Sequence, residues 1–88
     1  MPEIQLTIHN KVGLHARPAA LFVQAAQRFA ADIRVAKGGE AGNAKSFKAV
    51  LKLAVYQNDE VTVRAEGPDA DEALAALAQL VADNFGEK

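Results

Sequence analysis

Near the start of the chain Ile4, Leu6 and Ile8 alternate with Glu3, Gln5 and Thr7, the two-residue period of a strand that buries one face. This predicts a first strand ending near His9. Asn10 to Leu14 read as a loop, after which Ala19, Leu21, Phe22, Ala25, Ala26 and Phe29 recur at helical spacing. Pro18 sits near that helix's start, where its missing N–H costs nothing. Ile33 and Val35 then alternate with Asp32, Arg34 and Lys37, and glycines at 38, 39 and 42 supply turns toward a second short segment, so the region reads as a hairpin. Phe47, Val50 and Leu51 lie three and four apart with Lys48 and Lys52 opposite, predicting a short amphipathic helix from Ser46 to about Leu53. Val61, Val63 and Ala65 alternate with Thr62, Arg64 and Glu66 as a last strand, which Gly67-Pro68 stops. Asp69 with Glu72 has the spacing of a capping box, opening a helix whose Leu74, Leu77, Val81 and Phe85 form one apolar stripe.

The predicted order is strand, helix, strand, strand, helix, strand, helix, and each strand has one apolar face for helices to cover. That is an α+β domain of two layers. Periodicity does not reveal the order of strands in the sheet. With 88 residues, 50% of them apolar and 24% charged, the chain is expected to form one globular domain over 1–88. A domain so small hides only about 60 to 65% of its unfolded surface, which argues against a deep active site of many residues.

Charge and cysteine usage narrow the classes further. A formal charge of -1 gives no general attraction for nucleic acid, and the one basic cluster is Lys45, Lys48 and Lys52. The absence of cysteine excludes a disulfide framework and a thiolate metal site. The first residues lack the basic start and apolar run of a secretion signal, and no apolar stretch approaches the roughly 18 residues needed to span a bilayer. The expectation is a cytoplasmic protein without membrane insertion. His9 and His15 form no convincing set of metal ligands, so neither metal nor cofactor is expected. Gly39-Glu40-Ala41-Gly42 matches the letters of a G-x-x-G nucleic-acid loop but falls in the hairpin and contains a glutamate, and Gly42-Asn43-Ala44-Lys45-Ser46 lacks the glycine before the lysine of a P-loop, so both read as turns.

The chemistry gathers at His15-Ala16-Arg17-Pro18, directly before the first helix. A helix start offers unpaired N–H groups and the positive end of the macrodipole, a ready receptor for a phosphoryl group. Arg17 adds a permanent cation with a fork of donors suited to phosphate oxygens. An imidazole whose ordinary pKa is about 6.5 presents a nucleophilic nitrogen at neutral pH. Gly13 permits a tight approach, and Leu14 is expected to anchor the loop in the core while His15 faces water. Ser46 has the residue type and position of an N-cap.

Gly13-Leu14-His15-Ala16-Arg17-Pro18-Ala19, with Lys45-Ser46 and Ala65-Glu66-Gly67, resembles the signature of the histidine-containing phosphocarrier (HPr) family of the bacterial phosphotransferase system. The resemblance spans essentially the whole chain. It implies an open-faced two-layer sandwich, with a four-stranded antiparallel sheet covered on one face by three helices. It further implies a monomeric stoichiometric carrier, not an enzyme. His15 would accept a phosphoryl group on Nδ1 from enzyme I and pass it to enzyme II A domains for sugar uptake, with Ala16 and Arg17 holding the phosphate. Ser46 would be a regulatory site for an HPr kinase/phosphorylase, where a phosphate gains from the helix start and repels acidic partners. Docking would involve Ala20, Gln24, Phe47, Lys48 and Leu51. Lys48, and Ala54 where relatives often carry glycine, depart from the family pattern. Asn10-Lys11 and Asn84-Phe85-Gly86 resemble the nitrogen-related branch, so both branches stay open. A noncatalytic interaction module is the alternative of a different class.

Overall fold

The structure, a computed structural model, describes residues 2–86; Met1, Glu87 and Lys88, which the single-domain expectation also spans, lie outside the described residues. Among the described residues seven strands and α-helices follow one another as β1 (Glu3–Thr7), α1 (Ala16–Gln27), β2 (Asp32–Lys37), β3 (Glu40–Asn43), α2 (Phe47–Lys52), β4 (Glu60–Glu66) and α3 (Ala70–Ala82), and a short 3-10 turn over Asn84–Gly86 comes after them. All strand pairs are antiparallel and the sheet order is β1-β4-β2-β3. The expected order of elements is therefore the observed one, and the sheet order is the part that periodicity could not supply.

Alternation decides which side of this sheet is dry. Ile33 and Val35 of β2 and Val61, Val63 and Ala65 of β4 are buried, and they meet Phe22, Val23 and Ala26 of α1, Val50 of α2, and Leu74, Leu77 and Val81 of α3 in one core. The opposite face carries the charges. Register places Arg34 opposite Arg64 and Arg64 opposite Glu3; Glu3 meets Arg64 at 2.9 Å and Asp32 meets Arg34 at 3.6 Å, which relieves the repulsion between two facing arginines. This is the open-faced sandwich that the sequence resemblance implied.

Several local expectations are corrected. The β1 ladder ends at Thr7 rather than near His9, but Ile8 stays attached: its N–H donates to the Asp59 carbonyl at 2.9 Å and its carbonyl accepts from the Asn58 N–H at 2.6 Å. Asp69 is the N-cap of α3 but makes no capping bond, so the capping box with Glu72 is not formed. Its carboxylate instead accepts the N–H groups of Ala30 and Ala31, each at 2.8 Å. Two amides at the joint between α1 and β2 have no helix or ladder partner of their own, and they bind a carboxylate more strongly than one helix start competes for it. Phe85 is not on the α3 stripe. The helix ends at Ala82, and Asn84 and Phe85 take left-handed φ values of 52° and 56°, folding the Phe85 ring back into the core. Gly42 lies within β3 opposite Val35 instead of serving the hairpin turn.

Candidate functional site

The chain leaves β1 through a closed loop. Asn10 Nδ2 donates to the Gly13 carbonyl at 2.9 Å while the Gly13 N–H donates to the Asn10 carbonyl at 3.1 Å. Gly13 has φ +66°, and a Cβ there would stand 2.3 Å from the Val55 carbonyl oxygen and 2.7 Å from Tyr56 Cα. Only glycine lets this loop lie against residues 55–56. Leu14 completes the attachment, with its N–H on the Val55 carbonyl at 2.9 Å and its side chain fully buried, so the expected anchor is present.

His15 comes next, as the N-cap of α1 with extended backbone, φ -129° and ψ 160°, and its side chain makes no capping bond. The imidazole is thus not consumed by the helix. It does not stand free in water either. The residue is half-buried, its ring packs on Tyr56 with centroids 5.1 Å apart and planes tilted by 30°, and Nε2 is buried without a hydrogen-bond partner. One nitrogen is closed off, and Nδ1 is not closed off in this way. Among the described residues no carboxylate pairs with the ring.

The start of α1 is unusual. Ala16 has φ +49°, a left-handed conformation that costs a residue with a Cβ about 1 to 2 kcal/mol. Pro18 has no N–H, and the Ala19 N–H reaches the His15 carbonyl only at 3.5 Å. The helix mouth therefore presents two amides, those of Ala16 and Arg17, and neither donates to a partner among the described residues. Arg17 is exposed and forms no ion pair among the described residues.

Ser46 is the N-cap of α2, with Oγ accepting from the Ala49 N–H at 3.2 Å, as its residue type predicts. Lys45 is not part of a free basic patch. Its Nζ donates to the Phe29 carbonyl at 2.6 Å, and Gln27 Nε2 donates to the Lys45 carbonyl at 3.0 Å, so the two pairs fasten the start of α2 to the end of α1. Only Lys48 and Lys52 of that cluster are exposed. Of the docking candidates, Gln24, Phe47 and Lys48 are exposed, whereas Ala20 and Leu51 are half-buried. Phe47 departs from the predicted apolar face of α2, since Val50 alone in that helix is fully buried and the Phe47 ring is turned to solvent.

Tyr56, Lys37 and Asp59 are the residues that the sequence did not single out. Lys37 Nζ donates to the Ala54 carbonyl at 2.6 Å and meets Asp59 Oδ2 at 2.8 Å; that oxygen also accepts the Tyr56 N–H at 2.8 Å. These contacts, the lysine's first and the backbone N–H second, hold the Asp59 carboxyl below its usual pKa. Among the described residues no group of three His, Cys, Asp or Glu side chains could hold a metal, and no helix is long and apolar enough to cross a membrane.

The sequence and fold match known proteins over nearly the whole of this chain. The family model described as "PTS HPr component phosphorylation site" matches residues 2–83. The phosphocarrier protein HPr of Pseudomonas aeruginosa is 42% identical over 88 residues, 99% of this chain and 98% of that protein. The phosphoryl donor subunit DhaM of the PEP-dependent dihydroxyacetone kinase of Klebsiella michiganensis is 44% identical over 84 residues, covering 96% of this chain but 18% of that longer protein. The crystal structure of HPr-C-His from Thermoanaerobacter tengcongensis has a TM-score of 0.98 at 48% identity, covering 100% of this chain and 99% of that one.

Proposed function

Because the chain belongs to the HPr family of the phosphotransferase system, we propose that its phosphoryl acceptor is His15 Nδ1, loaded by enzyme I and unloaded onto enzyme II A domains. The observation that carries this reading is an imidazole with one nitrogen closed and the other open, beside two amides and an Arg17 side chain that have no partner among the described residues. In loading, the Nδ1 lone pair forms the N–P bond as the bond from phosphorus to the donor's leaving group breaks. Unloading is the same exchange onto an acceptor's nucleophile. Charge-assisted hydrogen bonds of about 1.5 to 3 kcal/mol each steady the group without trapping it. Among the described residues no carboxylate pairs with the ring to stabilise positive charge there, which favours a reactive loaded form.

The carrier unit in this reading is a single copy, since every group invoked comes from one chain. Ser46 is its regulatory serine: a phosphate at the start of α2 would set negative charge beside Phe47, Lys48 and Leu51, where partners dock together with Ala20 and Gln24. The exposed Lys48 favours acidic acceptors. The acceptor itself, of the sugar branch or the nitrogen branch, is identified by which A domain takes the label.

The test is incubation with enzyme I and phosphoenolpyruvate. An acid-labile adduct should form, His15→Ala should abolish it, and Arg17→Ala should slow transfer with little loss of stability. Label persisting in His15→Ala would show the site assignment to be wrong, and an intact chain that takes no label would favour a noncatalytic interaction module.

A further inference from the structure

The segment between α2 and β4 supplies the wall of the site. Tyr56 is the chain's one tyrosine, and it is 55% exposed, so burial does not hold its ring in place. Its neighbours do. The Tyr56 N–H is fixed on Asp59 Oδ2, Lys37 bridges that carboxylate to the Ala54 carbonyl, and Lys37 Nζ stands 5.3 Å from the centroid of the Tyr56 ring, within the range of a cation–π contact. The backbone under the ring is joined to the His15 loop through the Leu14 to Val55 hydrogen bond and the close approach at Gly13.

The imidazole needs such a support. His15 makes no capping bond and Nε2 has no partner, so neither contact fixes the ring's rotation about Cβ–Cγ. A half-turn there would put Cδ2 where Nδ1 stands and Cε1 where Nε2 stands. The 5.1 Å contact with Tyr56 is the directional restraint that remains, since tilted aromatic pairs favour particular geometries. We propose that Tyr56, clamped by Lys37 and Asp59, is a positioning residue that fixes the His15 imidazole with Nε2 inward and Nδ1 outward. The proposal rests on the reading of His15 as the phosphoryl acceptor. It adds that the acceptor's orientation is set from 41 residues away by a ring that does not itself touch the phosphoryl group.

Two measurements on the full chain test it. In the unphosphorylated protein, nuclear magnetic resonance of the His15 ring should show displaced ring-proton and ring-nitrogen shifts. These should move toward the values of a freely rotating histidine in Tyr56→Ala and stay in place in Tyr56→Phe. In the transfer assay, Tyr56→Ala should lower kcat about threefold to tenfold, the rate equivalent of one aromatic pair, with KM nearly unchanged. Tyr56→Phe should restore the rate, and Lys37→Met, which loosens the clamp but keeps the ring, should fall between. The proposal is overturned if Tyr56→Ala leaves the ring shifts or kcat unchanged, or if Tyr56→Phe is as slow as Tyr56→Ala. Should the wild-type chain take no label, the carrier reading fails while the resonance measurement still decides whether Tyr56 orients the ring.

Discussion

Replacing Gly13 by alanine separates backbone strain from steric collision. At Gly38, in the β2–β3 turn, φ is +61° and an added Cβ meets nothing within 4 Å, so Gly38→Ala should cost only the left-handed strain, about 1 kcal/mol. Gly13 has nearly the same φ, +66°, but its Cβ would lie 2.3 Å from the Val55 oxygen and 2.7 Å from Tyr56 Cα. Both are backbone atoms that cannot rotate away. Restoring ordinary contact requires the loop to retreat by roughly 1 Å, which breaks the buried 2.9 Å bond from Leu14 to Val55. A lost buried hydrogen bond costs about 1 to 3 kcal/mol, so the total for Gly13→Ala is about 3 kcal/mol. At about 4 to 8 °C per kcal/mol for a domain of this size, Tm should fall by roughly 12 to 24 °C, against about 4 to 8 °C for Gly38→Ala. Thermal unfolding followed by circular dichroism measures both. Equal losses in the two variants would mean that the loop is not seated on residues 55–56, and the geometry around His15 would go with it.

Two further outcomes follow from contacts already described. Ser46→Ala removes the only side-chain cap of α2 and should lower stability by about 1 kcal/mol, whereas Ser46→Thr, which keeps an acceptor oxygen, should lose less; equal loss would place the effect elsewhere than the cap. The Asp59 carboxyl is held low chiefly by Lys37, and the Asp69 carboxyl chiefly by the Ala30 N–H and then by that of Ala31, from an ordinary value of 3.8. Depressed folded-state values mean that the stabilisation is fully present above that ordinary value and is lost as pH falls through the lowered ones. Tm should hold from neutral pH down to about 5 and decline below about 4, and the Asp59→Asn, Asp69→Asn double variant should show a lower plateau with a shallower acid decline. An unchanged acid slope would show that other carboxylates control it.

What could be read from sequence was what repeats or what neighbours in the chain decide. Ile33 and Val35 against Arg34, or Val61 and Val63 against Arg64, mark strands because burial alternates with the pleat. Ser46 marks a helix start because its hydroxyl needs only the amide three residues on. The candidate site at His15 could be marked from sequence because the residue types proposed for it lie within four consecutive positions. The missing parts are those settled by distant competition. Asp69 carries the letters of a capping box, yet its carboxylate is taken by amides 38 and 39 residues away. Lys45 reads as a surface charge until the Phe29 carbonyl, with no helical partner, claims it. Phe85 keeps helical spacing although the helix has already ended. Tyr56 follows no period, and nothing local ties it to a histidine on another loop.

Pro18 occupies the third position of α1, where most residues would add another amide pointing out of the helix. A third amide would add one more donor, worth about 1.5 to 3 kcal/mol toward a charged ligand. With the pyrrolidine ring there instead, an anion at this mouth meets two backbone donors among the described residues and is gripped that much less firmly.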